Sequence, residues 1–156
     1  MTGRVYITHL AEHPEALPVL QEWFETEWAA YYGQGGPGDA VQDLLAYANR
    51  DRLPVGLIAF YDDQVCGIAA LKAESITTHK HLCPWAAAGL VFPQFRRRGI
   101  GALLVNALED VARTLGYTTI YSGTRTSVNL LERGGWQFME RVRFNDEDIS
   151  IYQKAL

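Results

Sequence analysis

The chain has 156 residues, 48% hydrophobic and 21% charged, enough apolar material for one domain spanning residues 1–156 to bury a core without disulfides or metals. A formal net charge of −4 argues against a nucleic-acid partner. No apolar run nears the roughly 18 residues needed to cross a bilayer, and the opening MTGRVYITHL lacks the apolar stretch of a signal peptide, so the expectation is a cytoplasmic protein with no membrane partner.

Residues 4–9, RVYITH, have the β-branched and aromatic character of a strand. Pro14 suits the first turn of a helix, in which Leu17, Leu20, Phe24 and Trp28 recur at helical spacing. A Gly/Pro-rich loop, residues 31–40, follows. Asp39 with Gln42 three positions on has the form of a capping box, and Leu44, Leu45 and Ala48 continue a second helix. Residues 54–61 and 65–73 read as two strands of a hairpin turned by Asp62, Asp63 and Gln64. Cys66 and Cys83 have no metal-ligand spacing, so reduced core thiols and no metal site are expected. A polar segment with Glu74, His79 and His81 leads into a third strand, PWAAAGLVF.

The next helix carries the strongest pattern. Ile100, Leu103, Leu104, Ala107, Leu108, Val111 and Leu115 predict one apolar face, with Arg113 at the negative end and Gly116 as the stop. A strand at 118–122, a short helix near 127–133 and two closing strands complete the order βααβββαβαββ. That order predicts a mixed α/β fold with long hairpins and one strand–helix–strand crossover.

Between the third strand and its helix runs VFPQFRRRGIGALL. A helix mouth offers free N–H groups and the positive end of the macrodipole, and glycines let a bulky anion approach the backbone. This is the composition of a phosphate cradle. No Lys-Ser or Lys-Thr follows as in a P-loop, and Leu104 stands where the dinucleotide fingerprint needs glycine or alanine. The remaining pattern is R-x-x-G-x-G, Arg96-Arg97-Arg98-Gly99-Ile100-Gly101.

That loop, in its setting LVFPQFRRRGIGALL, resembles the acyl-CoA loop of the GCN5-related N-acetyltransferase (GNAT) family. The late segment LLERGGW resembles the family's fYerlGw stretch, and the element order agrees over nearly the whole chain. The resemblance implies a mixed central sheet in which the cofactor strand splays from strand 118–122 to leave an acyl-CoA slot, with a bulge expected at Gly89. It implies acetyl-CoA as co-substrate, no metal, and direct attack by a primary amine, either a small molecule or a peptide. A homodimer is left open. Backbone amides of Arg97, Arg98, Gly99, Ile100, Gly101 and Ala102 would hold the pyrophosphate, with Arg96 shaping the loop. Arg97 stands where many relatives have a small residue, and the side chains of Arg97 and Arg98 either reach phosphates or point to solvent. Leu90 and Val91 would pair with the pantetheine arm, with the Val91 N–H on the thioester oxygen.

The resemblance breaks at the general acid. Leu131 occupies the tyrosine position of fYerlGw, and leucine has no proton to give. Tyr121 is a candidate replacement, or else a sheet tyrosine. Glu74, His79 and His81 are the titratable groups nearest the cofactor strand in sequence, so Glu74 and His81 are candidate bases, the alternative being solvated loop residues. Trp28, Tyr31, Tyr32 and Trp85 are candidates for an acceptor wall, with Trp28 open to a core role instead. The loss of the tyrosine also motivates a second reading: a CoA-binding sensor or interaction module without turnover.

Overall fold

The computed structural model describes residues 4–156, and its first strand, β1, is Val5–His9. Pro14 opens a single 3₁₀ turn, Pro14–Ala16, rather than the long helix itself. Helix α1 follows at Leu17–Glu27 and buries Leu20 and Phe24. Trp28 leaves helical geometry (φ −117°, ψ 51°), and a one-turn helix α2, Ala29–Tyr32, re-forms beyond it. The expected first helix is therefore two. Asp39 caps α3, Ala40–Ala46, by accepting the Gln42 N–H at 3.1 Å, as the capping pattern predicts. The remaining elements are β2 (Val55–Tyr61), β3 (Gln64–Lys72), β4 (Trp85–Val91), α4 (Ile100–Thr114), β5 (Thr119–Thr124), α5 (Val128–Arg133), β6 (Gln137–Phe144) and β7 (Glu147–Ala155).

One seven-stranded sheet, ordered β1-β2-β3-β4-β5-β7-β6, joins them. All neighbours are antiparallel except β4 and β5, the crossover pair joined by α4. Helices cover both faces. A side chain at Gly56 would meet Leu10 and Tyr47, whereas one at Gly67, the register partner of Ala59, would meet Ile100 and Leu104 of α4. Positions 56 and 59 differ by an odd number, so they face opposite ways. One face belongs to α1 and α3, the other to α4 and α5.

Within α4 the buried stripe is Ile100, Leu104, Leu108 and Ala112, at steps of four; Leu103, expected on that face, is 42% exposed. Helices α4 and α5 end in the same way. Tyr117 N–H bonds to Ala112 O and Gly116 N–H to Arg113 O, with Gly116 at φ +93°. In α5, Trp136 N–H bonds to Leu131 O and Gly135 N–H to Glu132 O, with Gly135 at φ +87°. Both are Schellman motifs with glycine in the left-handed position. No described helix is long and apolar enough to cross a membrane.

Candidate active site

Strands β4 and β5 stay together for one registered pair, Trp85 and Tyr121. Just beyond it Ser122 Oγ donates to Ala86 O at 2.9 Å, and from there the strands part. The opening is a slot of about 490 Å³. Residues 86–91 form one wall; residues 122–127 with Leu130 and Leu131 form the other. Leu104, Val105 and Leu108 of α4 floor it on one face of the sheet, and Trp28 borders it on the other.

The β4 wall is shaped by a bulge. Ala70 registers with Ala87 but Ile68 with Leu90, so two residues of β4, Ala88 and Gly89, oppose one of β3. The left-handed conformation falls on Ala88 (φ +54°), not on Gly89 as the sequence suggests. A side chain at Gly89 would meet nothing within 4 Å, so the glycine keeps the wall open. Past the bulge, Phe92 N–H bonds to Cys66 O on the β3 side. By strand alternation the polar groups of Val91 and Gly89 then face the slot, and those of Leu90 face β3. Leu90 thus does not offer its backbone to the slot; Gly89, which sequence reasoning passed over as a donor, does.

At the mouth of α4 the first backbone bond is Leu103 N–H to Gly99 O. The N–H groups of residues 97–102 have no acceptor among the described residues. Arg97 (φ +65°) and Gly99 (φ +78°) both adopt left-handed geometry, which curls these donors around one point. An added Cβ at Gly101 would meet only Leu130 Cδ2, at 3.5 Å. The left-handed backbone explains why a small residue suits position 97, and why Arg97 is a costly choice there.

The three arginines divide. Arg96 Nε donates to Val91 O at 2.9 Å and its terminal nitrogen to Glu27 at 3.0 Å, tying the end of β4 to the end of α1. Arg98 bonds the Tyr61 hydroxyl at 3.0 Å and lies over that ring, 5.0 Å from its centre. Arg97 alone has no partner among the described residues and stands exposed beside the cradle.

The family model described as acetyltransferase (GNAT) family matches residues 17–136. The chain belongs to the GNAT acetyltransferase family. A search of curated proteins gives no sequence match. Among solved structures the chain resembles an aminoglycoside 6'-N-acetyltransferase complexed with coenzyme A, at 16% identity, with 96% of each chain covered and a TM-score of 0.78. It resembles yncA from Salmonella typhimurium, determined with its cofactor acetyl-CoA, at 18% identity, 100% and 95% coverage and a TM-score of 0.74. It also resembles the ribosomal-protein-alanine N-acetyltransferase of Brucella melitensis, at 20% identity, 97% and 99% coverage and a TM-score of 0.70. Identities this low establish the shared GNAT fold.

Set against that fold, the sequence-derived candidates separate clearly. Trp85 is fully buried, and its indole N–H donates to Leu82 O at 2.7 Å. It is a core residue at the vertex of the slot, not an acceptor wall, because β4 is still paired with β5 there. Tyr121 packs against Trp85 at the same vertex and does not line the slot. Glu74 and His81 are exposed on the 73–84 connection and do not line it either. His79 is bound to Glu140 across to β6 and to Thr78 at 2.8 Å. Trp28 does border the slot, stacked edge-on to Phe24. Tyr32 is anchored behind it: its hydroxyl donates to Asp43 at 2.7 Å, and burial with that carboxylate pushes its pKa far above the usual phenol range. Tyr31 is exposed and edge-on to Tyr32. Leu131, at the family's tyrosine position, is buried and lines the slot with a wholly apolar surface.

Proposed function

We propose that this protein transfers an acetyl group from acetyl-CoA to a primary amine by direct attack. The carrying observation is a cradle of unpartnered N–H groups at residues 97–102, opening onto a slot that passes between two parting strands. Those donors, at the positive end of a 15-residue helix, suit a pyrophosphate. The slot-facing backbone of Gly89 and Val91 would take the pantetheine arm as an added half-strand. Because Arg96 already occupies Val91 O, the Val91 N–H is the group left for the thioester oxygen.

Direct attack is favoured because no cysteine lines the slot. Cys66 is buried, and burial pushes its pKa up to about 11, far from a thiolate. Cys83 lies outside the slot, before the vertex. The amine would therefore meet the acyl group itself, held in line by the two walls.

The test is an amine panel with acetyl-CoA, reading free thiol. Release that depends on an added amine is expected. Gly101→Val serves as the cradle control: its branches fill the space where phosphate would sit, and CoA affinity by calorimetry should fall about tenfold or more. Unchanged affinity would remove the cradle from the account. A second reading rests on Leu131. A GNAT protein with an intact cradle and no acid would act as a CoA-binding module, and tight CoA binding without thiol release across the panel would establish it.

A further inference from the structure

Among the described residues the slot is lined by one carboxylate, and it is none of the candidate bases. Glu147, the first residue of β7, lines the cavity together with Trp28, Arg125 and Ile149. Its face of the sheet can be traced. Lys72 lies over the Tyr47 ring, which fixes its face as that of α3; its register partner is Trp85, and Trp85 pairs with Tyr121. Gly123, two residues on, points at Ile76 and Ile149, and Glu147 shares the parity of Ile149 along β7. Glu147 therefore sits at the mouth opposite α4, away from the anion cradle and on the same side as Trp28. A cofactor seated in the cradle would present its acyl end toward this mouth.

We propose that Glu147 is the specificity-determining residue for the acceptor, and that the acceptor carries a second amine, whose ammonium Glu147 receives, apart from the neutral amine that attacks, while the apolar stem between them lies against Trp28. This rests on the acetyltransfer reading of the slot. Glu147 is held by Arg125 at 3.5 Å, a long contact between side chains 63% and 51% exposed. Such a pair is worth about 0–1 kcal/mol, so an incoming ammonium displaces Arg125 at little cost. The aromatic face of Trp28 favours a cation over an anion at the same mouth. The hairpin tip, residues 143–148, adds Asp146 and Asp148 and one further cation, Arg143, which Asp148 binds at 3.1 Å, while Arg141 lies further along β6. The local field is therefore negative at the entrance an acceptor must use.

The experiment measures binding of 1,6-diaminohexane and of the neutral 1,6-hexanediol to CoA-loaded protein by calorimetry, in wild type, Glu147→Gln and Arg125→Ala. Thiol release from acetyl-CoA is followed in parallel. Glu147→Gln keeps shape and removes charge; diamine affinity should fall roughly two- to fivefold, the range of an ion pair at a half-exposed carboxylate, with CoA affinity unchanged. Arg125→Ala should leave diamine binding intact or tighten it, and the diol should bind weakly throughout. Equal diamine affinity in wild type and Glu147→Gln overturns the proposal, as does absence of diamine binding to wild type. Loss of diamine binding in Arg125→Ala alone also overturns it, because an anionic ligand would then be the better fit. Diamine binding that depends on Glu147, without thiol release, supports the proposal and fails the acetyltransfer reading instead.

Discussion

Leu131 stands where the sequence resemblance places a tyrosine, and the chemistry it lacks is the phenolic O–H. The side chain is buried, belongs to the main core and lines the slot, so the wall at this point is apolar and has no proton to donate. Leu131→Tyr would add a ring to a packed position, at a cost of about 1–3 kcal/mol, offset in part because one side of the residue is open slot. If protonation of the departing thiolate limits turnover, kcat should rise about tenfold or more, since a placed acid contributes roughly 10²–10⁴-fold. Steady-state thiol release with an accepted amine checks this in a variant shown to unfold cooperatively. No rise would mean that the thiolate leaves unassisted or that another step is slower. Position 97 departs in a different way. The resemblance made Arg97 notable because it stands where many relatives have a small residue, and the structure gives a physical reason, a left-handed φ at which glycine is least strained.

Helix α4 shows what a one-dimensional pattern can and cannot carry. Its amphipathic stripe, its N-terminal glycines and its Gly116 stop were legible because each is a local property of helix geometry. Glu109 was not. It is buried on the same helix, accepting the Trp136 indole N–H at 3.2 Å and pairing with Lys154 at 2.9 Å and Arg113 at 3.8 Å. Trp136 and Lys154 come from the end of α5 and from β7, so only the assembled fold brings them to Glu109, whereas Arg113 lies one turn on along α4. Lys154 also donates to Gly134 O at 2.7 Å, so the network pins the α5 terminus, whose Leu131 walls the slot. Glu109→Ala leaves an ammonium and an indole N–H without their carboxylate. A loss of about 3–5 kcal/mol is expected by urea denaturation, against under 1 kcal/mol for the exposed Asp110→Ala one residue away. The bulge on β4 has the same origin as the Glu109 surprise. Gly89 marked the region, but register with β3 decides which residue takes the positive φ, and register is a property of two strands.

Across the whole molecule the loop proposed to hold the cofactor was legible in the sequence, and most of the mouth proposed for the acceptor was not. The cradle is one continuous loop whose donors are backbone groups, so sequence order suffices to draw it. The mouth proposed for the acceptor is assembled from the end of α1, the loop after β5 and the start of β7; Trp28 was named from the sequence, whereas Glu147 was missed because proximity to the cofactor strand pointed to Glu74 and His81 as bases. Stability should show a similar reliance on distant segments. His9 lies on β1 with a ring nitrogen, Nδ1, buried and without a partner among the described residues. Burial, together with the positive charge of Arg50, holds its pKa below the ordinary 6.5, against a smaller opposing pull from Glu12. The unfolded chain therefore takes up this proton at higher pH than the folded one, and stability falls as pH drops below about 6.5, until the folded-state pKa is passed. Glu12, bonded to Thr8 and Arg50, and Glu15, bonded to His13, have pKa values lowered from 4.5. Their contribution is present above that value and is lost on further acidification. Urea midpoints between pH 7.5 and pH 4 should thus decline in two stages, the first assigned to His9. In His9→Gln, which cannot take up the proton, the decline between pH 7 and pH 5.5 should flatten while the lower stage persists. An unchanged upper stage would place the titrating group elsewhere.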